Sequence, residues 1–364
     1  MIFRSTRWPR VLFLGVFAVV AALMPACGGS GATTSTTSDS AATTTAAVSS
    51  AALAPADVSI ALDWTPNTNH IGVYVADSLG FYKEQGLNVK LLPYANTSPE
   101  TLVSHGDANF GFSYSNGIAY ARAVGLDVVQ VFANISKQQY LIAYRADDAS
   151  IKTPKDLDGK TYAGFGSPSE ESEVGTVIKN DGGKGDFKRV VLDTAAYEAV
   201  YNGRADFTIS ASTWEGVEAA VNHKPMKYFD PADYGYPESY SNTIISSNAW
   251  LTANPDVAKR FLLATQQGYQ YAAQHPAEAA QLLLAANPQT LKNPEVVKQS
   301  AELLAKDGYY GDAAGAIGNI DGTLVATFYD FLYDNQLLTD ADGKALTTRP
   351  DWAQAYTNAY LPAS

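Results

Sequence analysis

The sequence predicts an α/β fold in which two successive units of alternating strands and helices are followed by a region of helices. Three observations lead to this prediction. Short apolar strands alternate with helical patterns from residue 57 to about residue 145, and the same alternation restarts after Asp147. From Pro255 onward, apolar residues recur at helical spacing with no strand between them. Such alternation predicts helices that cover a largely parallel sheet in each unit.

The individual elements follow from these patterns. Strands are predicted at 57–62, 87–92, 108–112, 128–133, 139–144, 160–164, 187–192, 207–210 and 241–246. Helices are predicted at 71–78, 100–105, 117–124, 169–180, 195–202, 214–221, 255–275, 276–286, 294–306 and 322–335. The last four have no strands of their own, so we expect them to pack on an existing lobe. Strand 241–246 returns the chain to the first lobe, which predicts hinge segments at 144–147 and 240–243.

The N-terminus has the pattern of a secretory signal peptide. Three arginines precede a run of thirteen mainly apolar residues, which is too short to cross a hydrocarbon core of about 30 Å as a helix. The ending at Cys27 resembles a bacterial lipobox, in which the cysteine receives a diacylglycerol. Cys27 is therefore the predicted lipid attachment site. An ordinary secretory cleavage that leaves an incidental thiol is the open alternative.

A segment composed almost entirely of Gly, Ser, Thr and Ala follows this cysteine. It has too little apolar bulk to offset the entropy of ordering, which predicts a flexible tether. The predicted organisation is then a signal peptide at 1–26, a tether at 27–56, the first part of lobe 1 at 57–145, lobe 2 at 146–240, and the remainder of lobe 1 at 241–364.

Composition excludes several functions. With 25 Lys plus Arg against 37 Asp plus Glu, the net charge of -12 argues against binding to nucleic acid or to an anionic membrane surface. One cysteine cannot form an intramolecular disulfide or a multi-thiolate metal site. The four histidines are widely spaced, and no nucleophile elbow or phosphate-binding loop is present. We therefore predict no metal, no cofactor and no catalytic residues.

The loop between the first strand and the first helix is the most unusual segment. Ligands of open α/β sheets bind beyond the carboxyl ends of the strands, where this loop lies. Trp64 can stack on a planar ligand, Asp63 can accept a hydrogen bond from an amine, and Asn67 and Asn69 supply donors and acceptors. His70 completes the candidate set. The open alternative is a capped turn with a core tryptophan.

Three further strands end in polar or aromatic residues. The helix that starts after residue 167 could hold a carbonyl with its amides, although its first-turn acids oppose a strongly anionic ligand. These acids could equally be ordinary stabilisers of a surface helix. The candidate binding residues from these three loops are Ser113, Tyr114, Ser167, Ser169, Glu170, Trp214 and Glu215. Together with the first loop, they suit a planar heterocycle that is neutral or bears an amine.

Several of these segments resemble one known family. The matching segments are 63–70, 72–76, 80–87, 157–160, 167–170, 214–218, 233–235 and 254–261. They resemble the family that groups the thiamine-pyrimidine-precursor-binding lipoproteins of ABC importers with the fungal thiamine pyrimidine synthases. The resemblance spans nearly all of residues 57–340. Its first motif is quite specific, whereas the others are shared with binding proteins for sulfonates, nitrate and riboflavin.

The resemblance implies a two-lobed periplasmic-binding-protein fold of the second type, with the ligand cleft between the lobes. It implies that Trp64 stacks on the ligand, that Asp63 holds polar ring substituents, and that the loop 167–170 faces them. It also implies a function. The chain would be a monomeric, lipid-anchored receptor on the extracytoplasmic face of the bacterial cell membrane. It would deliver a pyrimidine precursor of thiamine, of the hydroxymethylpyrimidine or formylaminopyrimidine type, to an ABC permease.

Departures from the family pattern argue against an enzyme. The fungal synthases consume a lysine and a histidine four residues apart and carry a cysteine-rich iron site. The corresponding positions here are Ser113 and Gly117, and residues 243–246 contain no cysteine. Two alternatives stay open: a receptor for riboflavin, another small heterocycle or a sulfonate, and an extracytoplasmic enzyme that processes a pyrimidine.

Overall fold

A computed structural model describes residues 53–311 and 317–362. Its strands, in chain order, are β1 Ala56–Ala61, β2 Leu87–Leu92, β3 Phe110–Ser113, β4 Val129–Ile135, β5 Tyr140–Arg145, β6 Thr161–Gly164, β7 Lys188–Val191, β8 Phe207–Ala211, β9 Met226–Phe229 and β10 Asn242–Ser246. The predicted signal peptide, Cys27 and the predicted tether up to residue 52 lie outside the described residues.

The α-helices, in chain order, are α1 Ile71–Ser78, α2 Phe81–Glu84, α3 Pro99–His105, α4 Ser115–Ala123, α5 Pro168–Asn180, α6 Ala196–Tyr201, α7 Glu215–Val221, α8 Asn248–Ala253, α9 Pro255–Gln274, α10 Pro276–Ala286, α11 Pro294–Lys306 and α12 Gly322–Asp334. Proline occupies the first turn of α9, α10 and α11, where its missing N–H costs no hydrogen bond. Within the described residues, no helix combines the length and the apolar character that crossing a membrane requires.

The strands form two sheets, and each sheet defines one lobe. Their strand orders are β2-β1-β3-β10-β4 and β7-β6-β8-β5-β9. Both sheets are largely parallel as predicted, but each is mixed because it contains one reversed strand: β10 and β5 run antiparallel to their neighbours. Each of these two strands enters its sheet from the other lobe. It therefore starts at the cleft, where the parallel strands end, and runs in the opposite direction.

The predicted boundary at residue 145 is wrong. Strand β5 was assigned to the first lobe, but it pairs with β8 and β9 in the second sheet. The chain therefore crosses between the lobes at 136–139 and again at 230–241, and the predicted hinge at 144–147 lies inside the second lobe. A strand pattern shows that a segment is extended but not which sheet receives it. Elements β9, α2 and α8 were not predicted, because they are too short to show a period.

Helices of the C-terminal region cover the first sheet. The Phe261 ring of α9 stacks on Phe110 of β3 with centroids 4.1 Å apart. Helix α9 also packs closely on α1, where a Cβ atom at Gly268 would lie 2.0 Å from the Gly72 carbonyl oxygen. Only glycine fits at this contact. Helix α11 reaches further, because the Ser300 hydroxyl donates to the Thr213 carbonyl of the second lobe. This helix therefore touches both lobes behind the cleft.

Candidate functional site

A cavity of about 600 Å³ lies between the two lobes, beyond the carboxyl ends of the parallel strands. Its volume falls in the range of small-molecule sites. Ten of the predicted residues line it: Asp63, Trp64, Asn67, Asn69, Tyr114, Ser167, Ser169, Glu170, Trp214 and Glu215. Two predicted residues do not. Ser113 and His70 are fully buried behind the wall of the cavity.

Other residues that line the cavity are not predicted by the sequence patterns. They include Tyr94, Tyr140, Glu173 and Tyr197. Tyr94 follows the end of β2, so the rule that ligands bind beyond strand ends would have found it. Glu173 lies one helical turn after Glu170, and its position in a helix gave no signal that it faces a cavity.

Aromatic rings from both lobes meet around Trp64. Its centroid lies 5.2 Å from that of Tyr94 in the same lobe, with an interplanar angle of 54°. Phe165 and Tyr197 of the second lobe approach at 5.5 Å and 6.3 Å, nearly perpendicular to the indole. None of these three rings is parallel to Trp64, so flat stacking against the indole is left to a planar ligand.

Two buried side chains hold the Asp63 carboxylate. The Nδ1 atom of His70 accepts the Asn67 backbone N–H at 3.2 Å, so the proton of the imidazole is on Nε2. This Nε2–H donates to Asp63 Oδ1 at 2.8 Å, and Asn242 Nδ2 donates to Asp63 Oδ2 at 2.7 Å. His70 also packs against the Phe112 ring, with centroids 4.6 Å apart. His70 is thus a partner of Asp63 rather than part of the cavity wall.

Asn67 caps the short turn that follows Trp64. Its Oδ1 accepts the Asn69 backbone N–H at 2.8 Å, and its Nδ2 donates to the Thr65 carbonyl at 3.2 Å. The polar atoms of this side chain are therefore engaged within the loop. This arrangement agrees with the capped-turn alternative for Asn67, although the residue also lines the cavity.

Glu170 holds the loop at the start of α5. Its two carboxyl oxygens accept the backbone N–H groups of Phe165 at 2.7 Å and Gly166 at 3.2 Å. Gly166 has a φ of 92°, which favours glycine. Burial raises the pKa of Glu170, and these two hydrogen bonds oppose the rise. From the other lobe, the Tyr114 hydroxyl lies 3.2 Å from Ser167 Oγ, so the lobes touch at this loop.

Two more carboxyl groups of the cavity are buried and carry strongly raised pKa values. Burial raises the pKa of Glu173 to about 8, although Asn116 Nδ2 donates to it at 3.3 Å. Burial also raises the pKa of Glu215 to about 8, and the Ala211 N–H donates to it at 2.9 Å. The Glu100 carboxyl has a raised pKa for the same reason. At neutral pH, Glu173 and Glu215 are therefore mainly neutral carboxylic acids.

The lining of the cavity is acidic. It contains Asp63, Glu100, Glu170, Glu173 and Glu215, and among its described residues there is no lysine, arginine or histidine. Phosphate and sulfonate groups are normally held by cationic donors, so this wall suits a neutral or cationic ligand better. Within the described residues, no group of three or more His, Cys, Asp and Glu side chains is placed to hold a metal ion.

The sequence matches the family described as NMT1/THI5 like over residues 67–279. It is 31% identical over 234 residues to the formylaminopyrimidine-binding protein of Halalkalibacterium halodurans, covering 62% of this chain and 69% of that protein. It is 22% identical over 316 residues to the 4-amino-5-hydroxymethyl-2-methylpyrimidine phosphate synthase THI13 of Saccharomyces cerevisiae, covering 84% of this chain and 87% of the synthase. One relative is thus named for binding and one for synthesis.

Among solved structures, the fold is similar to that of the alkanesulfonate-binding protein SsuA from Xanthomonas axonopodis pv. citri bound to MOPS. The TM-score is 0.62 at 16% sequence identity, covering 84% of this chain and 99% of SsuA. At this identity the likeness shows the fold alone. It confirms the predicted two-lobed periplasmic-binding-protein fold of the second type, with the cavity described above between the lobes.

Proposed function

The chain belongs to the NMT1/THI5-like family, and from this premise we propose that it is the substrate-binding protein of an ABC importer and captures a pyrimidine precursor of thiamine. The observation that carries the proposal is the composition of the cavity, which combines Trp64 with carboxyl groups and has no basic side chain among its described lining residues. An aminopyrimidine offers the flat ring and the N–H donors that such a wall can bind.

Binding follows from closure of the two lobes. The ring lies against Trp64, and its amino group donates to Asp63, whose side chain is 12% exposed at the cavity. Phe165 and Tyr197 approach from the second lobe and exclude water. A ligand that lacks the donor leaves the carboxylate without a partner, which lowers its affinity.

Two positions support a receptor rather than a synthase. Ser113, which stands where the fungal enzymes have lysine, is fully buried behind the cavity wall. At Gly117, which stands where they have histidine, a Cβ atom would lie 2.7 Å from Glu100 Oε1 and 3.0 Å from Ser113 Oγ. A histidine therefore does not fit at residue 117 without movement of its neighbours. The lack of basic residues in the described wall also disfavours a phosphorylated substrate and a sulfonate.

Riboflavin is the second candidate ligand. The cavity of about 600 Å³ is large for a single pyrimidine ring, and the aromatic residues around Trp64 would stack equally well on a larger ring system. The acidic wall accepts this ligand too, because isoalloxazine carries no negative charge at neutral pH.

We further propose that the receptor is a monomer held by a lipid on Cys27 at the extracytoplasmic face of the cell membrane. The Gly, Ser, Thr and Ala composition of residues 28–54 supports a tether between this anchor and β1, which begins at Ala56. The tether would let the receptor reach its permease while it stays at the membrane.

Calorimetry of the full-length protein in mild detergent tests the function. The ligands are hydroxymethylpyrimidine, its formylamino analogue, thiamine, riboflavin and taurine. We expect micromolar or tighter binding, about -8 kcal/mol, to one of the two pyrimidine precursors and none to taurine. Trp64→Ala should weaken this binding by about 30-fold or more. Trp250→Ala is the matched control, because Trp250 packs on Phe110 away from the cavity. If no heterocycle binds, the proposal is wrong.

A further inference from the structure

The orientation of the Asp63 carboxylate is fixed by a chain of buried hydrogen bonds. Asn242 Oδ1 accepts from Asn134 Nδ2 at 2.7 Å, and Asn134 Nδ2 also donates to the Asn69 carbonyl at 2.9 Å. Because both donor hydrogens of Asn134 are used in this way, the amide oxygen of Asn242 must face Asn134. Its amide nitrogen then faces Asp63.

The second donor to Asp63 is fixed as well. The Asn67 backbone N–H occupies Nδ1 of His70, so only Nε2–H can point at Asp63. His70 and Asn242 are both fully buried, whereas the Asp63 side chain is 12% exposed. His70 and Asn242 therefore each occupy one lone pair of a carboxylate oxygen. Asp63 itself lines the cavity, so its remaining lone pairs are available to a ligand. An ionised carboxylate in this setting can only accept.

We propose that His70 and Asn242 are positioning residues, which hold the Asp63 carboxylate so that the site selects a heterocycle that bears an amino group over an analogue of the same shape without one. This inference rests on the proposed function and deepens it. Neither residue contacts the ligand, since neither lines the cavity.

The place of Asn242 in the fold gives this role a wider consequence. Asn242 begins β10, directly after the second crossing between the lobes. The preceding Ser241 ties the two crossings together, because its hydroxyl accepts the Gln139 backbone N–H at 2.8 Å and donates to Gln138 Oε1 at 3.2 Å. The residue that orients Asp63 is thus attached to the segments that connect the two lobes.

The test compares two ligands in the full-length protein. One is 4-amino-5-hydroxymethyl-2-methylpyrimidine, and the other is the same molecule with hydrogen in place of the amino group. We expect the wild-type protein to prefer the amino ligand by about tenfold or more, as for a hydrogen bond to a charged acceptor. His70→Phe keeps a ring against Phe112 but removes the donor, and Asn242→Leu removes the other donor at similar volume.

In both variants, the ratio of the affinity for the amino ligand to the affinity for the other ligand should fall towards one. The affinity for the ligand without the amino group should stay within about threefold of wild type. His70→Gln, which keeps an N–H near Asp63, should restore part of the preference. His105→Phe and Asn222→Leu are the matched controls, because both residues are exposed and lie outside the cavity.

The outcomes separate the two proposals. If His70→Phe does not fold, Asn242→Leu and His70→Gln show whether the donors to Asp63 set the preference for the amino ligand. A purely structural role would weaken both ligands equally and leave the preference unchanged, which would overturn the positioning inference alone. A wild-type protein that binds both ligands equally well would also overturn it alone. A wild-type protein that binds neither of these ligands nor the formylamino precursor would overturn the proposed function, and the inference with it.

Discussion

The carboxyl groups on the two sides of the cavity differ in how they are held. On the first lobe, Asp63 receives its hydrogen bonds from the side chains of His70 and Asn242 and remains 12% exposed. On the second lobe, Glu170 and Glu215 receive theirs from main-chain N–H groups and are only 3% and 4% exposed. In the comparison that follows, the first wall means the carboxyl group of Asp63 on lobe 1. The second wall means the carboxyl groups of Glu170, Glu173 and Glu215 on lobe 2.

This difference divides two tasks between similar side chains. The carboxylate oxygens of the first wall can accept hydrogen bonds from the ligand. In the second wall, Glu170 and Glu215 use their carboxyl groups to hold main-chain N–H groups, and burial raises the pKa of all three residues. Glu173 also accepts a hydrogen bond from Asn116 of the first lobe; this bond opposes the rise in its pKa, and burial is what favours the neutral form. A carboxyl group beside a cavity is therefore not by itself a ligand contact. For Asp63, Glu170 and Glu215, the source of the hydrogen bonds differs with the task.

The second wall should dominate the pH dependence of stability, which is the largest effect we expect. Burial raises the pKa of Glu173 and Glu215 from 4.5 to about 8, so the folded chain holds protons that the unfolded chain releases. Their contribution to the free energy of unfolding is fully present below pH 4.5 and is lost as the pH rises through about 8. Between these values, each group lowers the free energy of unfolding by at most about 1.4 kcal/mol per pH unit.

Urea unfolding at about pH 5, 6.5 and 8 measures this slope. Glu173→Gln and Glu215→Gln should each remove their share of it. Glu171→Gln is the matched control, because Glu171 lies on the same helix turn as Glu170 but is exposed and paired with Arg189. If the free energy of unfolding of the two buried variants depends on pH as steeply as that of the wild type, Glu173 and Glu215 are not protonated in the folded chain. The proposed difference between the two walls is then wrong.

A matched pair of isosteric variants separates the walls by affinity. Asp63→Asn and Glu170→Gln each turn one acceptor oxygen into an NH2 group that faces an existing donor. Both should lower the free energy of unfolding by about 1–3 kcal/mol. Only Asp63→Asn should also weaken pyrimidine binding by about tenfold or more, because the Asp63 side chain is partly exposed at the cavity whereas Glu170 is buried. Calorimetry and urea unfolding of both variants provide the measurements. Equal losses of affinity would mean that both walls contact the ligand.

The position of the first wall could be predicted from the sequence, but its internal contacts could not. A strand pattern followed by Asp63 and Trp64 is enough to place these residues beyond a strand end, and so at the cleft. The same pattern led us to group His70 with the ligand-binding residues. Whether a histidine faces a cavity or the side chain behind it depends on ring orientation, and periodicity does not give this. Asn242 is 179 residues away from Asp63 in the chain, so no local pattern could connect them.

The second wall was predicted only in part, for a related reason. Glu170 and Glu215 follow strand ends closely and were found, whereas Glu173 looks like any polar residue on an amphipathic helix. Its raised pKa arises from burial where the lobes meet. The lobe assignment of β5 was wrong for the same cause, since the receiving sheet is chosen by pairing with β8 and β9. Contacts between elements distant in the chain decide both features.

The smallest effect we expect concerns the contact that joins the two walls. The Tyr114 hydroxyl lies 3.2 Å from Ser167 Oγ in the other lobe, so Tyr114→Phe removes one hydrogen bond between the lobes. Such a bond contributes about 0.5–1.5 kcal/mol, which predicts a two- to tenfold faster release of the pyrimidine with little change in its association rate. Stopped-flow fluorescence measures both rates. Tyr271→Phe is the matched control, because its exposed hydroxyl donates to Glu278 outside the cavity. Release no faster than in this control would show that closure depends on the aromatic residues around Trp64 rather than on the Tyr114 hydroxyl.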